Sequence, residues 1–457
     1  MSNLSRLNLL RTFFESGATL DVEFRKKQLK ALHDAIMQHE QELNEALAID
    51  LKKSPEEVWV TETGMVIAEL NNAIKKVGSW AKPKCVSTNL LNLPSKSRIH
   101  HEPLGVVVII GPWNYPFQLL INPLIGAIAA GNCVVLKPSE FAPATSGVMK
   151  KIVESVFASN YVLYLEGDGA VVVPALLNDF RFDHIFYTGS TSVGRLIYKQ
   201  AADKLVPVTL ELGGKSPCVI ESDANLKVAA RRIAITKFSN CGQMCVAPDY
   251  VLVHSSVREK FIEELKKTIS QFFSGDAATS YNYGKIINEK QFDRLTSYLN
   301  NGRIVYGGKQ NRASLYIEPT LLTDVKVSDP IMQDEIFGPL LPIIEYSNFE
   351  EAVNIVRQHS NPLSFYIYTT SASNEKKWLQ AVPSGGACVN NSSWHLTNHN
   401  LPFGGRGNSG TGAYHGKYSF ETFSHKKSVL KTPNWFDPAM KYPPFKGKLK
   451  LFKLFIR

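Results

Sequence analysis

Apolar residues recur at helical spacing through the first 80 residues, as at Phe24, Leu29, Leu32, Ile36 and Leu43, in a background rich in Leu, Ala, Glu, Lys and Gln. That periodicity predicts a helical opening segment. From residue 105 the pattern changes to short β-branched runs: VVVII at 106–110, CVVLK at 133–137, YVLYL at 161–165 and HIFYT at 184–188. Helical stretches accompany them at 123–131, 143–158, 170–178 and 191–203. Strand and helix alternating at this spacing predict a parallel sheet covered by helices, the architecture of nucleotide-binding domains. After Glu211-Leu212-Gly213-Gly214 a second series begins, with CVI at 218–220, a helix over 227–238, the strand DYVLVH at 249–254 and a helix over 257–271. It predicts a second α/β domain. Residues 87–101 alternate around a Pro-Ser turn and predict a protruding hairpin.

A chain of 457 residues with 44% hydrophobic and 20% charged residues is too long for one hydrophobic core and too apolar to be disordered. Its longest aliphatic run, Val106 to Ile110, is far below the ~18–20 residues that span a bilayer as a helix. Arg6 and Arg11 break up the apolar residues of the N-terminus, so no secretory signal is expected and a cytoplasmic location is. Six cysteines in so long a chain fit reduced thiols rather than a disulfide scaffold. The formal net charge of +10 would suggest a polyanionic partner, but six of those charges lie in residues 441–457, which contain no acid. The remainder is close to balanced, and no nucleic-acid partner is expected. As a helix, that tail would gather Lys446, Lys450, Lys453 and Arg457 on one face and Leu451, Phe452, Leu454 and Phe455 on the other. Two readings stand for it: peripheral contact with an anionic membrane, or packing of its apolar side on the body or a partner subunit.

Several segments carry candidate chemistry. Gly405-Arg406-Gly407-Asn408-Ser409-Gly410 matches G-x-G-x-x-G, yet it follows Leu401-Pro402-Phe403 late in the chain instead of a strand that opens a βαβ unit, so it is expected to be a glycine-rich loop. Gly189-Ser190-Thr191-Ser192-Val193-Gly194 directly follows HIFYT and opens a helix, where free N–H groups attract phosphate or where Ser simply caps. Lys137-Pro138-Ser139-Glu140 follows another strand and offers a cation and an acceptor, or a solvated loop. Cys241 and Cys245 stand at C-x3-C spacing without a second Cys or His pair nearby, so no metal is expected. Cys245 is either a nucleophile, its thiolate favoured by a local positive field, or a small buried apolar residue. Glu211, a lone acid between an apolar strand and two glycines, is either a desolvated base or a solvated strand end. Asn114, in Gly111-Pro112-Trp113-Asn114-Tyr115-Pro116-Phe117 after VVVII, could donate to an oxyanion or merely occupy a turn.

Taken in register, GPWNYPF, GNCVVLKPSE, TGSTSVG, LELGGKSP, NCGQMCVAPDY, EIFGP and PFGGRGNSGTGAYHGKYSFETFSH closely resemble the aldehyde dehydrogenase family. APDY after the cysteine and the YHGKYSFETFSH block resemble its class 3 branch, which includes fatty aldehyde dehydrogenases. The resemblance implies that Cys245 is the nucleophile, Glu211 the base that activates water, and Asn114 the oxyanion-holding amide. The cofactor set it implies is Trp113, Lys137, Glu140, Gly189, Ser190, Val193, Glu335, Phe337 and Phe403. Of these, Lys137 and Glu140 would lie around the adenosine ribose and Gly189 and Ser190 near the pyrophosphate. Glu335, Phe337 and Phe403 would lie at the nicotinamide end. The cofactor is NAD, with NADP open as a second choice, and an acid at Glu140 favours NAD. The substrate is a medium- or long-chain aliphatic or an aromatic aldehyde, and the assembly a homodimer. The resemblance further implies a cofactor domain from 1–83 and 102–209, a catalytic domain from 210–385, a bridging region from 84–101 and 386–430, and a basic tail from 431–457. Cys241 departs from the small residue more usual in the family and could pair with Cys245 on oxidation. Two rivals remain: a catalytically idle binding protein using its tail, against which the intact Cys245, Glu211 and Asn114 set stands, and a dehydrogenase that releases its acyl group to coenzyme A or phosphate, against which Glu211 stands.

Overall fold

A computed structural model describes residues 2–456. Two sheets organise it. In the first, parallel strands run in the order Val162–Tyr164, Cys133–Lys137, Val106–Ile110, His184–Thr188 and Val208–Glu211, and Gly410–Thr411 adds antiparallel at the edge. These strands are buried on both faces, which is why they read as continuous apolar runs rather than alternations. Strand order reverses between Val106–Ile110 and His184–Thr188, so a crevice forms beyond their carboxyl ends, the place where such sheets bind ligands. Asn114 follows the first of these strands and Gly189 the second.

The second sheet has seven strands, ordered Arg303–Tyr306, Thr320–Thr323, Leu340–Tyr346, Tyr250–His254, Pro217–Ile220, Ser364–Tyr368 and Gly386–Val389. All its pairings are parallel except the first. Each large sheet has its own apolar core. The expected hairpin is present as Lys84–Val86 against Lys96–Pro103, and Ser424–Lys431 pairs along the whole outer side of the latter.

The helix expected over 123–131 begins earlier and runs Gln118–Ala130 with Pro123 inside it. Its first turn is anchored because Glu62 Oε2 accepts the N–H of Gln118 at 2.9 Å. The glycine-rich stretch 405–410 opens no long helix: it makes the short 3-10 turn Gly407–Ser409 and then the edge strand. Glycine is required there by close backbone approach, since a Cβ on Gly410 would meet the Leu210 carbonyl at 2.1 Å.

Glu69, on the helix Gly64–Trp80, is buried and accepts the N–H of Gly416 at 2.6 Å. Burial pushes its carboxyl up from 4.5 to about 7, against the pull of that N–H. The folded chain therefore keeps this proton up to about pH 7, whereas the unfolded chain releases it near 4.5. The stability it contributes is present below 4.5 and is lost as pH rises to 7. Glu69→Gln keeps an acceptor and removes the titration, so the variant should gain about 3 kcal/mol on wild type between pH 5 and pH 8. Melting curves at both pH values check this, and an unchanged difference between the two proteins would contradict it.

Candidate active site

The helix Leu226–Phe238 ends in the turn Ser239–Gly242, where Asn240 (φ 49°), Cys241 (φ 53°) and Gly242 (φ 72°) are all left-handed. A Cβ on Gly242 would stand 2.3 Å from the Gly338 carbonyl, so this position admits only glycine. The turn delivers Cys245 ahead of the strand Tyr250–His254. Gln243 locks it: Nε2 donates to the carbonyls of Asn240 and Lys285, each at 3.0 Å, and Oε1 accepts the N–H of Ile287 at 3.0 Å.

Two cavities meet at Cys245. The larger, of about 310 Å³, is mainly apolar, with Met65, Leu119, Ile235, Met244, Trp394, Leu396, Phe403 and Tyr414 in its wall and no Lys, Arg, Asp or Glu. The smaller, of about 210 Å³, is lined by Trp113, Asn114, Gly189, Ser190, Glu211, Glu335 and Phe337, among others. Cys245 and Leu119 line both. An apolar tunnel thus opens on one side of the thiol and a polar cleft on the other.

Asn114 Nδ2 donates to the Gln243 carbonyl at 3.0 Å. An amide nitrogen carries two hydrogens, so one remains for a ligand. Glu211 ends its strand fully inside, and neither of its oxygens has a hydrogen-bond partner among the described residues. Burial pushes its carboxyl well above the usual carboxylate range. Cys245 is also pushed up, first by burial and then by the carboxylates of Glu335 and Glu211. This differs from the expected positive field around the thiol: the charged side chains that act on it are acids, and only the backbone N–H groups of Cys245 and Val246 favour the thiolate.

The predicted cofactor residues divide into four groups. Trp113, Gly189, Ser190, Glu335 and Phe337 line the cleft, and the Trp113 and Phe337 rings meet edge-on at 5.3 Å. Glu335 is half-buried, and its carboxyl is pushed up to about 8, mainly by desolvation and further by Asp249. Lys137 and Glu140 lie apart from the cavity wall, paired with each other at 3.2 Å beyond the end of their strand. Glu140 Oε1 also accepts the Gly169 N–H at 3.1 Å. Val193 is exposed on the first turn of the helix Thr191–Ala202, its N–H bonded to Ser190 Oγ at 3.4 Å. Phe403 faces the apolar tunnel rather than the polar cleft.

This donor set fits a dinucleotide. A helix N-terminus beside Ser190 suits a pyrophosphate, the acids Glu140 and Glu335 suit ribose hydroxyls, and Trp113 and Phe337 flank the cleft that ends at the thiol. Among the described residues no group of three or more His, Cys, Asp or Glu could hold a metal. Cys241 is buried in the core of the seven-stranded sheet, whereas Cys245 packs against the other core, so a disulfide between them would require the turn to rearrange.

Two residues the sequence did not flag organise the site from behind. Asp249, buried, pairs with Lys215 and accepts the Ile336 N–H at 2.8 Å. Lys215 in turn donates to the carbonyls of Ile331 and Asp334 at 3.0 and 2.9 Å. This pair ties the segment carrying Glu335 and Phe337 to the segment carrying Cys245. Its traces in the sequence are the K of LELGGKSP and the D of APDY.

The model of the aldehyde dehydrogenase family matches residues 11–429. A 4,4'-diaponeurosporen-aldehyde dehydrogenase of Staphylococcus aureus is 45% identical over 449 residues, covering 98% of this chain and 97% of that protein. A rat aldehyde dehydrogenase described as dimeric and NADP-preferring is 43% identical, covering 98% and 99%. The solved substrate-bound state of Staphylococcus aureus AldH superposes with a TM-score of 0.98 at 44% identity, covering 100% of both chains. An NAD+ complex of a Bacillus cereus aldehyde dehydrogenase superposes with a TM-score of 0.84 at 27% identity, covering 93% and 88%.

Proposed function

The chain belongs to the aldehyde dehydrogenase family and catalyses NAD(P)-dependent oxidation of aldehydes to carboxylic acids, and from that premise we propose that Cys245, Asn114 and Glu211 carry the chemistry on apolar aldehydes. The observation that carries this reading is the thiol at the junction of an apolar tunnel and a polar cleft. The tunnel, without a formal charge in its wall, suits medium- or long-chain aliphatic or aromatic aldehydes. Turnover of a panel from acetaldehyde to decanal and benzaldehyde tests the proposal: kcat/KM should rise with apolar size. Equal or better use of hydrophilic short aldehydes would refute it.

The steps follow from the side chains. Cys245 loses its thiol proton to solvent, its sulfur adds to the aldehyde carbon as the C=O π bond opens, and the resulting oxyanion is held by the free N–H of Asn114 Nδ2 and the backbone N–H of Cys245. Trp113, Lys137, Glu140, Gly189, Ser190, Val193, Glu335 and Phe337 would hold the dinucleotide, with Phe403 closing the tunnel side. When bound, the oxidised nicotinamide supplies a positive charge at the cleft and an acceptor for hydride. Cys245 then carries the acyl group as a thioester. Glu211, desolvated and unpaired, takes a proton from water, whose oxygen attacks the thioester and releases the acid.

Glu140 supports a preference for NAD. Burial raises its carboxyl, but its own backbone N–H, the Gly169 N–H and Lys137 together hold it below the usual range, so it stays ionised and repels a 2′-phosphate. The expected result is a higher kcat/KM with NAD than with NADP. Glu140→Gln should narrow that ratio by about 5-fold, the effect of one like-charge contact near water, and an unchanged ratio would contradict the assignment.

The homodimer belongs to the same proposal and is supported by the name of the rat relative. So do the domain limits already given. No described helix is long and apolar enough to cross a membrane; a cytoplasmic location with peripheral membrane contact is part of the proposal. The tail forms the helix Leu449–Phe455, on which Leu449 and Leu454 are exposed and the half-buried Phe452 meets the Phe445 ring, and Ile456 after it is exposed. Trp435, Tyr442 and Phe445 are exposed beside it, an interfacial set of aromatics. Arg457 lies outside the described residues. The full chain should co-sediment with phosphatidylglycerol vesicles at low salt more than a chain ending at Tyr442. Equal pelleting would contradict membrane contact.

A further inference from the structure

Lys53 and Glu62 form an ion pair at 2.7 Å with both side chains at 0% exposure. Burying two charges costs several kcal/mol per ion unless their partners compensate closely, so such a pair is weak evidence of a device for stability alone. Two local irregularities of the backbone aim these side chains inward. Lys52, just before Lys53, is left-handed (φ 55°), and Glu62 lies within the single π-helical turn Trp59–Thr63, a form found often at functional sites.

The surroundings of the pair have one feature in common. Lys53 Nζ donates to the carbonyl of Asn114 at 3.2 Å and sits 3.9 Å from the centre of the Tyr115 ring. Glu62 Oε2 accepts the N–H of Gln118. Every one of these contacts falls on the segment 114–118. The same Asn114 carbonyl receives a second hydrogen bond from Asn240 Nδ2 at 2.8 Å, and Asn240 Nδ2 also reaches the Gln243 carbonyl at 3.2 Å. Glu57 Oε1 fixes the left-handed Asn240 by accepting its N–H at 2.8 Å. The Asn114 peptide is thus gripped from the N-terminal helices by Lys53 and from the cysteine turn by Asn240.

We propose that Lys53, held by Glu62, is a positioning residue for the oxidation: it fixes the Asn114 carbonyl, and so the direction in which the Asn114 amide points its free N–H at the oxyanion. The inference rests on the reading of Asn114 given above. Lys53 lines neither the apolar tunnel nor the polar cleft. It acts because the peptide carbonyl it holds and the side-chain amide belong to one residue, and displacement of an oriented donor by about 1 Å can cost roughly 100-fold in rate.

Lys53→Met alone would leave Glu62 buried and uncompensated, so the test uses the neutral pair Lys53→Met with Glu62→Gln, in which Gln can still accept from Gln118. Melting temperature and NAD binding by fluorescence show that the variant is folded. With decanal and NAD, kcat should fall roughly 10- to 100-fold while KM for both ligands stays within about 3-fold, the loss expected for a misdirected donor. The distinguishing readout is the same pair of substitutions on an Asn114→Ala background. There it should cost less than about 2-fold, because residues acting as one unit are not additive. Equal fold-losses on both backgrounds, or full activity of the neutral pair, would overturn the role of Lys53. Failure of the neutral pair to fold would assign the ion pair to stability and overturn it as well. Full activity of Asn114→Ala would instead overturn the oxyanion reading itself, which keeps the two failures apart.

Discussion

Replacing Cys245 with alanine should lower NADH formation from decanal by roughly 10⁴-fold or more, the scale on which an enzyme loses turnover with its nucleophile. The fold should hold, because Cys245 is half-buried on a turn whose geometry is set by Gly242 and Gln243. NAD should still bind, since the cleft residues Ser190, Glu335 and Phe337 are untouched. Loss of dehydrogenase activity with retained NAD binding and melting temperature is therefore the expected pair of results, measured by NADH absorbance, fluorescence titration and thermal denaturation. Residual activity within 10-fold of wild type would exclude a covalent step at this sulfur.

Glu211→Gln should produce a different phenotype. With Glu211 proposed as the base of deacylation alone, the variant should release a burst of NADH near one per active site and then turn over about 10²- to 10⁴-fold more slowly. The pH dependence has a defined sign. Burial pushes the Glu211 carboxyl well above the usual range, so the fraction able to accept a proton keeps growing as pH rises beyond the usual carboxylate range. Steady-state kcat of the wild type should rise with pH over that range, and the Gln variant should lack the rise. A variant with neither burst nor slow turnover would place Glu211 in the first half of the reaction. A variant with unchanged steady state would remove it from the mechanism.

The first sheet was legible in the sequence because its central strands are buried on both faces and read as unbroken apolar runs, as in Val106–Ile110 and Cys133–Lys137. Of the seven strands in the second, only Pro217–Ile220 and Tyr250–His254 were read, and its edge strands Arg303–Tyr306 and Gly386–Val389 are exposed or half-buried and carry no such run. Cys245, Glu211 and Asn114 were legible as residues out of place: a thiol in a polar turn, an acid after an apolar strand, an amide between prolines. The structure brings all three to one cleft. What the sequence hid depends on distant packing. Lys53 and Glu62 look like any charged helix surface, and only the approach of the 114–118 segment, some sixty residues on, reveals them as buried. The wall of the apolar tunnel draws Val60, Ile235, Trp394 and Tyr414 from four separate parts of the chain, and no local pattern predicts such a gathering. The positive field expected at Cys245 was inferred from thiol chemistry, but burial and two neighbouring acids oppose it within the protein.

The central claim is that one sulfur carries the acyl group and one carboxyl releases it. It is tested most directly by intact-mass and peptide-mass analysis of Glu211→Gln after mixing with NAD and decanal. A decanoyl thioester is expected on the peptide containing Cys245, absent when NAD is omitted and absent in the Cys245→Ala, Glu211→Gln double variant. An acyl group on Cys241 or any other residue, or NADH formed in stoichiometric amount with no acyl-enzyme at all, would contradict it.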